Sequence, residues 1–408
     1  MKAFAGKKFL LVVENSSVPG DPRVWHEAQS LKNAGGEVYV VCPISRHVKE
    51  HREKFVVADG IHIYRYKAAF SDGTALGYFR EYMISFLKIT FLVHKILCCN
   101  FPIHVLHAAN PPDIFWPLGL YLKVFGTRFI YDEHDLSPET YLSRFGIEEN
   151  NGGLVYKIQK FMEKLSYNVS NAIISPNASY RARAIRTNRA YALKTFIVRN
   201  GPDTRYFSGQ LSNPSWKRGR SFLAAYVGGM AIQDGIEYII RAADVIVNRH
   251  GFTDLIFYLI GAGDDVPRLQ RLTRRLKLND YIVFTGYIPN KQIPEIVSAA
   301  DVCLAPDPSN PLNDHSTMTK IMEYMALSKP IVSFNLKESR YSAGDSAIYV
   351  ENNNVEAFAE GILKLIDDPD LSRKMGQIGK KRVEKELCWQ KQELNLLEAY
   401  RVVLRERF

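Results

Sequence analysis

Short apolar runs alternate along this chain with segments whose apolar residues recur every three or four positions. In the first half, strand-like runs fall at 8–13, 38–42, 61–66, 103–107, 128–132, 171–175 and 195–199; in the second, at 222–227, 254–260, 281–284, 301–305, 330–334 and 347–350. Runs this short and this continuous suit strands buried on both faces, and helical segments between them make the connections parallel. The pattern predicts an α/β chain of two doubly wound units. Expected boundaries are 1–205 for the first domain, a polar linker at 206–220, a second domain at 221–385, and a C-terminal helix at 386–408 that returns to the first.

The longest apolar stretch, Ile84 to Cys99, is interrupted by Lys88, His94 and Lys95. It falls short of the roughly 18–20 clean residues of a spanning helix and reads as a buried helix. Lys7-Lys8 before Phe9–Val13 imitates the start of a signal peptide, but Glu14 ends the run, which reads instead as the first strand. The 408 residues are ample for two cores at roughly 100–200 residues per domain. Five scattered cysteines form no paired C-x-x-C array, which indicates neither a disulfide framework nor a zinc site and suits a reducing cytoplasm.

Charge changes the picture in one respect. The formal net charge is +10, and residues 1–205 hold 27 Lys+Arg against 18 Asp+Glu. Arg181, Arg183, Arg186, Arg189 and Lys194 are the densest basic run, expected to form an exposed face. No aromatic-basic interleaving supports a nucleic-acid partner. An anionic membrane surface or a lipid-diphosphate acceptor fits a basic first domain equally well, and a merely solvated basic helix is the other reading.

The candidate chemistry sits after strands, where open α/β sheets bind ligands. Following Val302–Ala305, the segment Asn313-Asp314-His315-Ser316-Thr317-Met318-Thr319-Lys320-Ile321-Met322-Glu323 reads as a loop entering a helix, with Ser316 or Thr317 as N-cap. Free amides at such a start, with Lys320 a turn in, suit a diphosphate. Glu323, a turn further on, can accept hydrogen bonds from a ribose diol. Gly261-Ala262-Gly263 lacks the third glycine of a dinucleotide fingerprint, which disfavours a nicotinamide oxidoreductase. In the first half, Gly20 would let backbone approach a ligand, and Asp21, Arg23 and His107 are candidate acceptor contacts. Asp132, Glu133 and Asp135 raise the question of a metal, but no second carboxylate cluster at ligand spacing accompanies them.

Several pieces occur in an order that resembles the family 4 glycosyltransferases: Asp21-Pro22-Arg23-Val24, Tyr131-Asp132-Glu133-His134-Asp135, Val198-Arg199-Asn200-Gly201-Pro202-Asp203, Tyr226-Val227-Gly228-Gly229, Leu259-Ile260-Gly261-Ala262-Gly263-Asp264, Phe284-Thr285-Gly286-Tyr287-Ile288-Pro289 and Lys329-Pro330-Ile331-Val332. The resemblance covers nearly the whole chain. It implies a GT-B fold, two Rossmann-like domains facing an interdomain cleft, and retaining transfer from a nucleotide sugar without a metal or other cofactor. By the same resemblance His134, with Asp314 or His315, would contact the transferring sugar. Gly20, Gly229, Gly261, Tyr287, Ser316, Thr317, Met318, Lys320 and Glu323 would hold the donor, a UDP-sugar by preference. A glycan or lipid-linked hydroxyl would accept a hexosyl or N-acetylhexosaminyl group, in the cytoplasm or on the inner face of the plasma membrane. The chain departs from the family where an Arg and a Lys usually face the pyrophosphate: Gly229 and Asp234 stand there, and His315 stands in place of the first of two glutamates. A nucleotide-sugar 2-epimerase and a non-catalytic nucleotide-sugar-binding protein are the alternatives.

Overall fold

The structure, a computed structural model, describes residues 3–45, 49–69, 74–207, 212–289 and 292–405. The chain divides into two compact units, Met1–Arg199 with Gln392–Phe408, and Asn200–Lys391.

In the first unit the strands are β1 (Lys8–Val12), β2 (Glu37–Pro43), β3 (Phe55–Ala58), β4 (Ile61–Tyr66), β5 (Val105–Ala109), β6 (Arg128–Asp132), β7 (Ala172–Ser175) and β8 (Thr195–Ile197). They form one sheet in the order β3-β4-β2-β1-β5-β6-β7-β8, parallel except for β3. Its helices are α1 (Pro22–Asn33), α2 (Ala75–Asn100), α3 (Trp116–Lys123), α4 (Ser137–Phe145), α5 (Gly153–Val169) and α6 (Ala178–Thr187). The second unit begins with the single turn α7 (Thr204–Phe207) and has strands β9 (Phe222–Val227), β10 (Leu255–Ile260), β11 (Ile282–Gly286), β12 (Val302–Ala305), β13 (Ile331–Phe334) and β14 (Ala347–Val350). Its remaining helices are α8 (Ile236–Asp244), α9 (Val266–Arg275), α10 (Ile293–Ala299), α11 (Thr319–Ala326), α12 (Lys337–Ala343), α13 (Val355–Asp367) and α14 (Pro369–Arg382). The last helix, α15 (Trp389–Leu404), passes from the second unit into the first at Gln392.

The second sheet runs β11-β10-β9-β12-β13-β14, the 3-2-1-4-5-6 order of a dinucleotide-binding fold. Successive residues of its strands feed opposite faces. Tyr226, Phe257 and Leu259 pack into one core and Ala225, Val227, Tyr258 and Ile260 into the other. Such double burial explains why these strands read as continuous apolar runs.

All the runs read as strands form strands. The unread β3 forms a hairpin with β4 around Asp59-Gly60, both at positive φ (48° and 76°). Asp-Gly is the dipeptide that such a turn selects, so the signal was present. The expected linker is not free chain. Pro214–Lys217 forms a 3-10 turn capped by Asn213, Trp216 lies edge-on to Tyr258 at 6.0 Å, and Lys217 pairs with Asp301 at 2.9 Å. Residues 208–211 lie outside the described residues.

Two further expectations need correction. The basic run around α6 is largely occupied by structural contacts. Arg183 is buried between Glu139 (2.6 Å) and Glu163 (3.3 Å), and Lys194 donates to the Tyr167 and Ser170 carbonyls. Helix α2 is long and apolar enough to cross a membrane, yet only 28% of its most apolar window is buried. Ser85, Ile89, Val93 and Ile96 face the core, while Phe79, Leu87 and Phe91 face outward.

Helix α15 closes the first core. Tyr400 packs against Phe9 (5.1 Å between rings, edge-on) and hydrogen-bonds His107 Nδ1 at 2.9 Å. Tyr400→Ala should cost about 3–5 kcal/mol by leaving a cavity, and Tyr400→Phe about 1 kcal/mol. Urea denaturation of both variants measures the difference.

Glu14, at the end of β1, carries a pH signature. Burial pushes its carboxyl up to about 7, with Glu81 adding to the rise and Ser85 opposing it. The folded state thus binds this proton more tightly than the unfolded chain, so stability falls as pH rises from about 4.5 to about 7. The cost above that window is about 3 kcal/mol at 1.36 kcal/mol per unit. Glu14→Gln should leave stability unchanged at pH 4 and raise it at pH 8, checked by denaturation at both values.

Candidate functional site

In the first unit the polar residues gather beyond the carboxyl ends of β1, β5 and β6, where the strand order reverses between β1 and β5. Asp21 caps α1 by accepting from the Val24 N–H at 3.0 Å, and Pro22 opens the helix. Arg23 then turns inward. Its Nε and Nη2 donate to Asp132 at 3.1 and 2.6 Å, and Nη1 donates to the Val198 carbonyl at 2.9 Å. Glu27, one turn along α1, lies 3.3 Å from Arg23 Nε. His107 Nε2 is 3.3 Å from both Glu27 and Asp132, and its Nδ1 contacts Tyr400. Arg23 and His107 are therefore parts of a buried cluster, not side chains reaching out to an acceptor. Asp21 is a helix cap. Gly20 is exposed, and a Cβ there would meet the Ser17 carbonyl at 2.9 Å.

His134 is the member of this cluster with access to solvent. Its ring is held by Asp132, Nε2 to Oδ2 at 2.5 Å, and its backbone N–H donates to Asn110 Oδ1 at 2.6 Å. Asn110 is itself fixed by donating to Asp113, Tyr131 and the Asp135 carbonyl. An imidazole anchored in this way presents its other nitrogen at a set angle.

The electrostatics follow from burial and sharing. Burial opposes ionisation of Asp132, but the Arg23 guanidinium and the two histidines hold its carboxyl well below the ordinary range. Burial and the neighbouring Asp132 push Glu27 well above it, against the pull of Arg23. Burial also lowers His107, against Asp132. The site thus keeps one ionised carboxylate for one guanidinium. Glu27, His107 and Asp132 offer ligand atoms within 4.8 Å of one another, a set that sequence spacing did not reveal. Arg23 already supplies the positive charge to both carboxylates, which disfavours a cation in the same place. Glu133 points away to Tyr167 and Ser175 and Asp135 is exposed, so the acidic loop read from sequence does not converge.

In the second unit the strand order reverses between β9 and β12, and the loops after β9, β10 and β12 meet there. Gly261 (φ 140°) lies so close to Gly228 that a Cβ would stand 1.9 Å from the Gly228 carbonyl oxygen. Gly228 N–H donates to the Ile260 carbonyl at 3.0 Å, and Met230 N–H to Ala262 at 3.1 Å. The G-A-G turn is therefore a backbone-to-backbone joint. Gly261 also bridges to Gly286, next to the exposed Tyr287.

Helix α11 begins at Thr319 with Met318 as N-cap. Ser316 and Thr317 were expected to cap it. Ser316 Oγ instead donates to the Leu312 carbonyl at 2.8 Å, closing a tight loop before the helix. Asp314 accepts from Ser309 Oγ at 2.9 Å, and His315 Nδ1 lies 3.2 Å from the Pro311 carbonyl, so both fold back on that loop.

Lys320 projects from the first turn toward the loops. Its Nζ pairs with Asp307 at 2.6 Å and lies 4.9 Å from the Tyr226 ring centre. Its Cε is 3.4 Å from where a Gly228 Cβ would be. It is buried and already paired, where sequence suggested a cation awaiting phosphate. Asp234, in the family's usual lysine position, accepts from the Ala231 N–H at 2.8 Å. Burial raises its carboxyl, with Lys320 opposing. Glu323 is half-buried, and its side-chain carboxyl has no hydrogen-bond partner among the described residues. Burial raises it as well, again opposed by Lys320. One ammonium group thus serves several carboxyls, and that of Glu323 makes no hydrogen bond of its own among the described residues.

Residues 221–368 match the family model of group 1 glycosyl transferases. The chain is 25% identical over 307 residues to alpha-maltose-1-phosphate synthase of Mycolicibacterium smegmatis, covering 69% of this chain and 74% of that protein. It is 23% identical to the capsular polysaccharide biosynthesis glycosyltransferase CapM of Staphylococcus aureus, over 93% of this chain and 92% of that one. The structure superposes on Anabaena HepE, solved in complex with UDP-glucose, with a TM-score of 0.71 at 14% identity, covering 97% and 99% of the two chains. The second unit thus matches the group 1 glycosyl transferase model, the whole chain is similar to glycosyltransferases, and its two α/β units have the GT-B fold of the solved neighbours.

Proposed function

We propose that this glycosyltransferase moves a hexosyl or N-acetylhexosaminyl group from a UDP-sugar to a hydroxyl of a glycan or lipid-linked glycan, with retention of anomeric configuration. The observation that carries the reading is the pairing of Lys320 and Glu323 one turn apart on α11, at the point where the second sheet reverses its strand order. The α11 amides and Lys320 would take the diphosphate, and Glu323 the ribose diol. Similarity to CapM supports a polysaccharide product, and the UDP-glucose held by HepE supports the donor class. His134, anchored by Asp132, is assigned to the transferring sugar.

As the anomeric C–O bond to phosphate breaks, negative charge grows on the departing diphosphate. Prearranged donors stabilise such charge because they need not reorganise, and removing one typically costs about 3–4 kcal/mol of barrier. Lys320 can act this way only by sharing or leaving Asp307.

Lys320→Ala should weaken UDP binding by roughly tenfold to a hundredfold, the 1.5–3 kcal/mol of a charge-assisted contact. Uridine binding should hardly change. Isothermal titration of both ligands separates the outcomes, and an equal loss for the two would place Lys320 outside the phosphate subsite. NMR of the glycoside formed from an α-linked donor should show an α linkage, and a β product would sink retention. Release of free sugar with no acceptor requirement would instead favour the epimerase.

A further inference from the structure

The first unit carries an exposed apolar surface that the transfer chemistry does not use. Helix α2 has two apolar stripes. The inner one, Ile89, Val93 and Ile96, belongs to the core beneath the sheet. The outer one follows helical spacing through Leu76, Phe79, Met83, Leu87 and Phe91, which are 77%, 64%, 41%, 64% and 70% exposed. A helix on a soluble surface would place polar residues there.

Neighbouring helices of the same layer continue the surface. Residues of α2 and α3, with Tyr167 of α5, share one core cluster. His94 of α2 contacts Tyr121 of α3 at 2.8 Å, and Trp116 of α3 donates to Met162 of α5 at 3.4 Å. On their outer sides these helices expose Leu120, then Val124 just beyond α3, and Leu154, Ile158 and Phe161. Scattered exposed apolar residues are ordinary, but three adjacent helices exposing them together are not.

The charge around this surface selects its occupant. Arg80, Lys88, Lys95, Lys157 and Lys164 are exposed on α2 and α5. The only carboxylates on those two helices are Glu81 and Glu163, and Glu163 is buried against Arg183. Arg65 and Lys88 also line a cavity of about 290 Å³ beside Leu87, Phe91 and Leu92. A second copy of the chain would bring like charge against like. An anionic lipid surface matches both the apolar side chains and the cations around them.

We infer that α2, α3 and α5 form a membrane-docking face that lies on, and does not cross, an anionic bilayer. Although α2 is long and apolar enough for a span, its inner stripe is part of the sheet's core, so inserting the helix across a bilayer would dismantle the first unit. The face goes beyond the proposed donor chemistry and stands independently of it. It would hold the enzyme where a lipid-linked hydroxyl is presented.

Sedimentation of the full chain with vesicles of equal phosphatidylglycerol and phosphatidylcholine tests the inference. The parent protein should pellet with these vesicles at low salt and much less with pure phosphatidylcholine. Phe79→Ser with Phe91→Ser should lower the partition coefficient at least tenfold, and Lys88→Glu with Lys157→Glu several-fold. All four positions are exposed, so thermal melting and UDP titration of the variants should match the parent. Unchanged UDP binding alongside lost vesicle binding separates this face from the donor site. Failure of the parent to pellet, or equal binding to both vesicle types, would overturn the inference. So would a dimer in analytical ultracentrifugation that the Phe79 and Phe91 changes dissolve, because the face would then be a self-interface.

Discussion

A single buried carboxylate, Asp132, organises the polar interior of the first unit. It accepts two hydrogen bonds from Arg23, anchors His134 and lies 3.3 Å from His107. These partners come from α1, β5 and the loop after β6, so one side chain ties three connections together behind the strand ends. Ionised groups out of water are tolerated when paired and hydrogen-bonded, and breaking such a pair costs about 3–5 kcal/mol. The dependence runs outward: without Asp132, Arg23 would lose the ionised carboxylate that takes two of its hydrogen bonds, and the imidazole of His134 would lose its anchor.

The second unit meets a different constraint. Its loops approach one another closely enough that Gly261 must lack a side chain, and the Tyr226 hydroxyl crowds Gly228 in the same way. Lys320 fills the space beside them and is counterbalanced by Asp307 and Asp234. The resembled family usually places two cations here, whereas this chain places one cation among carboxyls. In the proposed function, a diphosphate entering the site would compete with Asp307 for the same ammonium group.

Much of this was legible from sequence order. Double burial writes parallel strands as apolar runs, and the run positions recovered all the strands except β3, whose Asp59-Gly60 turn lay unread beside it. The strand-to-helix turns of the second unit were visible because glycines and a Lys–Glu pair at helical spacing mark them locally. The caps of α11 were misread. Ser316 and Thr317 both have the chemistry of an N-cap, but the Ser316 hydroxyl is turned back to the Leu312 carbonyl and the helix starts later, at Thr319.

Pattern and spacing determined by themselves what depends on neighbours in the chain: strand and helix order, the two-unit division into doubly wound sheets, and the turn that bears Lys320 and Glu323. The tertiary structure alone decided which charged groups meet. Arg23 and Asp132 are far apart in sequence and adjacent in space, Arg183 reads as a surface arginine and is buried between two glutamates, and Lys320 reads as unpaired and is not. It also decided which face of α2 is covered, because a continuous apolar helix does not state how many of its sides the fold has partners for. Periodicity records burial along one element, whereas pairing and exposure belong to surfaces assembled from several, and those exist only once the chain has folded.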